Sequence, residues 1–439
     1  MFVVSAAFFG GCSGDGGGAS SEGPPQAYFP TWGDVAPTDV ITHDHNGSLS
    51  DIENGTLLKD AIAALTPGQR LEIGAGTYSV AGNWNLALQG TADAPIWIVA
   101  QDGAQPVITK PDALNNVVNI GDAGQPTRYV VIRGLEFTGG SVLMRIYDCA
   151  YLWVDQCYLH DGGAGGLTAN AVDTHHLYIT RNEIHDPGGP SSSNEGMYLG
   201  ANYGAVVMHT SVVALNHVHD CYGTQGDGIE LKQGSYNNLI AENNVHDTGY
   251  PCIIAYGTGG LPPNIIERNT CCRSDDNVMQ VQGEAVVRNN LLVAGAGSAF
   301  SSVDHQDTTV NLVVVNNTMV NAGYGANLSD WNGRAGMVFA NNAVYSRDSY
   351  SIRFPYGSTG VTVAGNVAYG PVMGVAGGYA SGAGLGDFVD VAWDASAVDA
   401  TPAAASALAG AADAAHEPVD DITGAERTGA PDAGAFDAD

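Results

Sequence analysis

Lysine is almost missing from this 439-residue chain: Lys59, Lys110 and Lys232 are the only three. Basic residues number 15 against 46 acidic ones, a net charge of −31. Such a surface repels phosphate backbones and anionic lipid, which excludes nucleic acid and membrane surfaces as partners. Cysteine is sparse, seven in all with no CxxC pair, and no zinc site is expected. Between Gly121 and Gly370 there is no helical pattern of ten residues or more, which argues against folds that alternate strands with helices.

What the chain does have is a recurring phrase: a short apolar run, an Asn, and often His-Asp. It reads HLYITRNEIHD from His176, SVVALNHVHD from Ser211, NNLIAENNVHD from Asn237 and NIIERNTCC from Asn264, with weaker copies to Gly370. The aligned asparagines are Asn182, Asn216, Asn243, Asn269, Asn289, Asn316, Asn341 and Asn366, spaced by subtraction 34, 27, 26, 20, 27, 25 and 25. A period in the twenties made of short strands is a solenoid. In DGIELKQGSYNNLIAENNVHD, Ile229 and Leu231 alternate with Glu230 and Lys232, which turns one side inward and the other to water. The expected fold is all-β, a right-handed parallel β-helix of about ten coils. Asn stacked at one corner suits a hydrogen-bonded ladder, because it tolerates left-handed turns. The pairs His160-Asp161, His185-Asp186, His219-Asp220 and His246-Asp247 recur at one corner and are expected to stack as scaffold.

The ends differ in kind. TLLKDAIAAL, Thr56 to Leu65, sets Leu57, Leu58, Ala61, Ile62 and Leu65 on one helical face and is expected to cap the solenoid. Residues 36–439 then form one domain, with an N-terminal cap over about 54–110 and a loosely packed, acidic C-terminal cap over about 385–439. From Asp387 to Asp439 there are 12 acidic residues and one basic one, Arg427. Residues 1–12 read as the remnant of a signal peptide: MFVVSAAFFGG is too short to span a bilayer. FGGC resembles the lipobox of bacterial lipoproteins, which implies lipidation at Cys12, with 13–35 as a flexible linker and an outer-membrane or extracellular location. The other six cysteines could form disulfides or lie buried as thiols. A monomer is expected.

Three segments carry a further resemblance: TLLKDAIAALTPGQRLEIGAGTY with GTADAPIWIVAQDG and YVVIRGLEFTGG; GDGIELKQGSYNNLIAENNVHD; and DITGAERTGAPDAGAF. The first resembles the N-terminal third of β-helix polysaccharide lyases of the chondroitinase B and alginate lyase type. The second is similar to the coil that carries the catalytic lysine there and in β-helix pectate lyases. The third resembles the last coil of many bacterial β-helix lipoproteins. Together they cover most of the chain from Thr56 onward. The resemblance implies β-elimination on a uronate-containing polysaccharide.

That reaction needs a base and a neutraliser for the carboxylate beside the reacting proton. Lys232 is the one mid-solenoid lysine and the candidate base, expected to point outward beside Glu230. Glu195, Asp227 and Glu230 are the candidate ligands for a Ca²⁺ ion. Glu195 is expected to stack over Asp227, and Tyr198 over Glu230. Tyr198, Tyr256, Gln282 and Asp304 are expected to line sugar subsites, the last three in register with Lys232. The insertion DPGGPSSSN just before Glu195 would wall the groove. The alginate and chondroitin lyases add an Arg on the next coil; here that coil is PCIIAYGTGG, so a calcium mechanism with a lone lysine fits better. Two other readings stay open. One is a hydrolase using Asp275 and Asp276, which would need an acid and a base about 6.5–9.5 Å apart. The other is a glycan-binding or structural surface protein without chemistry.

Overall fold

The computed structural model describes residues 28–437, which fall into two compact units, 28–226 and 227–437. Both are parallel β-solenoids in which each turn of chain adds one strand to each of three sheets. Sheet 1 holds thirteen coils' worth of strands in sequence, against the ten expected. In the first unit seven run from Asp39–His43 to Val212–Ala214, and in the second six run from Leu239–Ala241 to Thr362–Ala364. The undercount arose at the N-terminal end, where the coils lack the Asn phrase and an alignment on asparagine cannot see them.

Every coil turns three corners, and the chain meets them with residues in the left-handed region. At one corner stand Gln156, Arg181, Leu215, Glu242, Arg268, Asn289, Asn316 and Asn341, with φ between 51° and 61°. The residue after each of these points inward, and from Asn182 onward it is an asparagine of the ladder, onto which Cys157 N–H donates from the coil before. In the first unit, Asn182 donates its backbone N–H (3.0 Å) and its side-chain amide (3.0 Å) to Asn216 Oδ1. In the second unit the same double bond joins Asn243 to Asn269, Asn269 to Asn290, Asn290 to Asn317, Asn317 to Asn342 and Asn342 to Asn366. The expected register was therefore one residue early at three places: Asn289, Asn316 and Asn341 occupy the left-handed corner, and their neighbours carry the ladder. A second ladder rung, Asn238 to Asn264, sits at another corner.

The N-terminal helix spans Asp51–Ala63, five residues earlier than expected, because Ser50 and Glu53 form a capping box there. Leu58, Ile62 and Leu65 are buried, whereas Leu57 faces out. The helix lies so close to strand Gly76–Ser79 that a Cβ on Gly55 would stand 2.1 Å from the Ser79 carbonyl oxygen. Residues 28–34, expected within the flexible linker, are packed: Tyr28 and Trp32 are buried, and Trp32 joins Trp97, Val99, Val131 and Trp153.

The C-terminal segment is also not loose. Phe388, Val391, Leu408, Ile422, Ala433 and Ala435 pack on Leu291, Val293, Val320, Ala343, Tyr345 and Val367, outward residues of sheet 2, whose strands in the second unit include Leu291–Gly295, Thr318–Asn321, Ala343–Ser346 and Asn366–Tyr369. Corner asparagines hold it: Nδ2 of Asn289 donates to the Asp420 carbonyl (2.8 Å), Asn316 to Asp432 (2.9 Å) and Asn341 to Asp413 (3.0 Å). Cys149, Cys157, Cys221, Cys252 and Cys271 are buried free thiols, and burial pushes the Cys157 thiol up to about 12. Cys12 lies outside the described residues.

Candidate functional site

In the second unit, sheet 3 begins with Ile229–Leu231, followed in register by Ile253–Ala255 and Met279–Val281. Alternation buries Ile229 and Leu231 in the coil and turns Glu230 to the outer face. Lys232 follows on the same face, and the pairing extends to set Tyr256 and then Gln282 beside it. Outward does not mean exposed here: Lys232 and Glu230 are each only 4% exposed, and so is Asp227 in the same coil. The Lys232 ammonium is ion-paired with Glu230 Oε1 and lies 5.3 Å from the centre of the Tyr256 ring. The Tyr256 hydroxyl donates to the same Glu230 oxygen at 3.4 Å.

A later coil closes on Tyr256 and Gly257. His305 packs against Tyr256 with ring centres 5.9 Å apart, and a Cβ on Gly257 would stand 2.9 Å from Asp307 Oδ2. Burying an ion pair costs desolvation of both charges, so a buried lysine and glutamate side by side need the hydrogen bonds and the ring that surround them.

Two expected subsite residues do other work. Gln282 is fully buried and donates to the Val303 carbonyl at 2.8 Å. Asp304 is one step out of register, since Met279 pairs Phe300 and Gln280 pairs Ser301, which brings Val303 over Gln282. Its carboxylate accepts from Thr309 N (2.7 Å) and pairs with Arg334 (2.7 Å). Of the paired aspartates, Asp275 is exposed, while burial raises the Asp276 carboxyl above its usual range.

Glu195 and Tyr198 belong to the first unit. Glu195 is buried just before strand Met197–Leu199, and Tyr198 in that strand pairs with Thr168. The insertion ahead of it is tied down, with Thr224 N donating to Ser192 O and Gln225 N to Ser193 O.

The first unit carries a second polar face, on sheet 2. Its strands Tyr158–His160, Glu183–His185 and His217–Cys221 are in register, so Tyr158, Glu183 and His217 form one outward column and His160, His185 and His219 the next. The three histidine rings stack, with centres 5.3 and 4.9 Å apart. Each bonds its neighbouring corner aspartate through Nδ1, at 2.7, 2.9 and 2.7 Å, as the scaffold reading expected. Sequence reasoning passed over Glu183 and His217. The signal was His217-Val218-His219, since a two-residue spacing on a strand sets both imidazoles on one face. Glu183 Oε1 is 3.5 Å from His219 Nε2 and 3.8 Å from His217 Nδ1. Burial lowers the His219 pKa, but hydrogen bonds to Glu183 and Asp220 outweigh it and the net shift is upward. The same bond from His219 holds the Glu183 carboxyl below its usual range.

Residues 112–271 match the family described as a right-handed beta helix region. No curated protein matches the sequence. Among solved structures, the chain is similar to pectate lyase Pel9A, at 16% identity over 92% of this chain and 98% of that one, with a TM-score of 0.48. It is similar to XylC in complex with xylose, at 9% identity over 78% and 86%, with a TM-score of 0.52. An alginate lyase from Paenibacillus sp. str. FPU-7 is 13% identical over 66% and 99%, with a TM-score of 0.37. Identities this low speak to the backbone alone; the coils, corners and ladders above, with the match over residues 112–271, make the chain a right-handed parallel β-helix protein.

Proposed function

We propose that the protein cleaves a uronate-containing polysaccharide by β-elimination, with Lys232 as the base that takes the proton beside the uronate carboxylate. The observation that carries this reading is the buried group Glu230, Lys232 and Tyr256 on the outer face of sheet 3. An ammonium paired with Glu230 cannot accept a proton, so the arrangement is a resting one. Asp227 and Glu230 offer the oxygen donors that suit a hard cation such as Ca²⁺, whose chemistry would be to neutralise the uronate carboxylate and compete for Glu230. For Lys232 to serve as the base its ammonium would first lose a proton to solvent; the amine would then face the sugar beside Tyr256, the ring that His305 packs against. Pel9A and the Paenibacillus enzyme are named as lyases of pectate and alginate, which sets the first substrates to try.

The test is to incubate the protein with pectate, alginate and chondroitin, with and without a chelator, and to follow the absorbance of unsaturated products. Chelator-sensitive absorbance that Lys232→Ala lowers by about 10² to 10⁴-fold supports the reading. Absorbance unchanged in Lys232→Ala removes Lys232 as the base. New reducing ends without absorbance would establish a hydrolase, for which Asp276, with its raised carboxyl, is the acid to test. Binding without turnover on every polyuronate overturns the enzymatic reading.

A further inference from the structure

We propose that Glu183, His217 and His219 form a binding site for a divalent transition-metal ion, best suited to zinc. Among the described residues this trio brings one carboxylate oxygen and two imidazole nitrogens within 4.8 Å of one another. Nothing in this inference depends on the lyase reading, which concerns oxygen donors on another sheet.

Three observations converge. The first is spacing. Ligands 2.0–2.1 Å from a tetrahedral ion stand roughly 3.3–3.4 Å from each other. The Glu183 oxygen stands 3.5 and 3.8 Å from the two nitrogens, and all three atoms lie within 4.8 Å of one another, so the side chains need only close in to seat the ion. Those separations are long for charge-assisted hydrogen bonds, which run near 2.7–2.9 Å. The second is a comparison within the same face. His160 and Glu136 make the diagonal contact that His219 and Glu183 make, but at 3.1 Å, an ordinary hydrogen bond, and the third position there is Tyr158 rather than a histidine. Where the third histidine is present, the pair is held apart.

The third observation is the support behind the ligands. His219 Nδ1 lies 2.7 Å from Asp220 Oδ2, so Nε2, on the Glu183 side, is the nitrogen that a metal would take in place of its proton. A carboxylate on the far nitrogen is the usual partner of a metal-bound imidazole. His185 stacks on the His219 ring at 4.9 Å and 11°, fixing its plane. Two imidazoles with one carboxylate favour zinc, nickel or cobalt over calcium or magnesium. All three ligands come from rigid strands in register rather than from a loop.

The test uses the full chain without a histidine tag, stripped with chelator, in buffer with excess Mg²⁺ so that the net charge of −31 does not gather cations nonspecifically. Zn²⁺ is followed by calorimetry and Co²⁺ by its visible absorption. The expected result is one equivalent bound, with affinity reduced at least about tenfold in His217→Gln and in Glu183→Gln and by about ten- to a hundredfold in Asp220→Asn. Glu136→Gln should bind like the parent. Far-UV circular dichroism confirms that each variant is folded, and if His217→Gln is not, Glu183→Gln decides. No saturable binding by the folded parent overturns the proposal. So does binding that neither His217→Gln nor Glu183→Gln weakens.

Discussion

The outer face of sheet 2 has opposite fates in the two units. In the first it carries Glu136, Tyr158, Glu183 and His217 in one column and His160, His185 and His219 in the next, all partly open to water. In the second, the equivalent positions are Leu291, Val293, Val320, Ala343 and Tyr345, and the C-terminal segment lies over them. The backbone is the same in both. What differs is whether a later piece of chain arrives to cover the strand, and side-chain chemistry follows from that: titratable groups where water remains, methyls and rings where it is removed.

The strongest way to break the comparison is to uncover the second face. A chain ending before Phe388 should aggregate or unfold at temperatures where the full chain stays folded, because Val293, Val320 and the fully buried Tyr345 would meet solvent. Light scattering and thermal melts read this, and a soluble truncation of unchanged stability would mean the segment is an ornament.

The next effect separates two neighbouring asparagines. Asn317→Ala removes the acceptor for both Asn290 donors inside the solenoid and should cost about 3 kcal/mol. Asn316→Ala removes the hold on Asp432 and puts alanine at φ 51°, and should cost about 1–2 kcal/mol. Asn316→Gly keeps the corner and loses only the hold, so it should fall below Asn316→Ala. Urea unfolding ranks the three, and equal losses at 316 and 317 would contradict the division of roles.

The smallest effect belongs to the open face. His219 has a raised pKa, so its contribution is complete below about pH 6.5 and fades as pH rises through the folded value. Glu183 is depressed, so its contribution is present above about pH 4.5 and fades as pH falls through its folded value. Between those limits the pair stabilises the first unit. Glu183 is 36% exposed, so screening holds the gain under about 1 kcal/mol. In chelated protein, His219→Gln should flatten the rise in melting temperature on going from pH 7.5 to 5.5. A profile identical to the parent would show that the pair contributes nothing.

The fold was legible because a solenoid writes its period into the sequence, and the His-Asp corners were legible because Asp accepts left-handed geometry. The ladder register was not, at Asn289-Asn290, Asn316-Asn317 and Asn341-Asn342, because either asparagine of a doublet suits a corner. The discriminating signal is the next inward residue: Ile184 follows Asn182 by two, and Leu292, Met319 and Val344 follow Asn290, Asn317 and Asn342 by two. Lys232 was placed on the correct face, but the contacts beside it were not legible: Tyr256 meets His305 and Gly257 meets Asp307, from the third coil after that of Lys232, which no periodicity within one coil encodes. The contacts of Gln282 with Val303 and of Asp304 with Arg334, and the one-residue register shift at Asp304, were not legible for the same reason.

In the second unit's ladder every rung runs one way: the side-chain amide of each asparagine from Asn243 to Asn342 donates to the carbonyl oxygen of the next. Such a series is a wire of aligned dipoles, in which each bond polarises and strengthens its neighbours. A break in the middle therefore leaves two short wires, while a break at Asn366 only trims one. Identical substitutions along a repeating structure should thus differ in cost by position alone, a gradient that no inspection of a single coil would reveal.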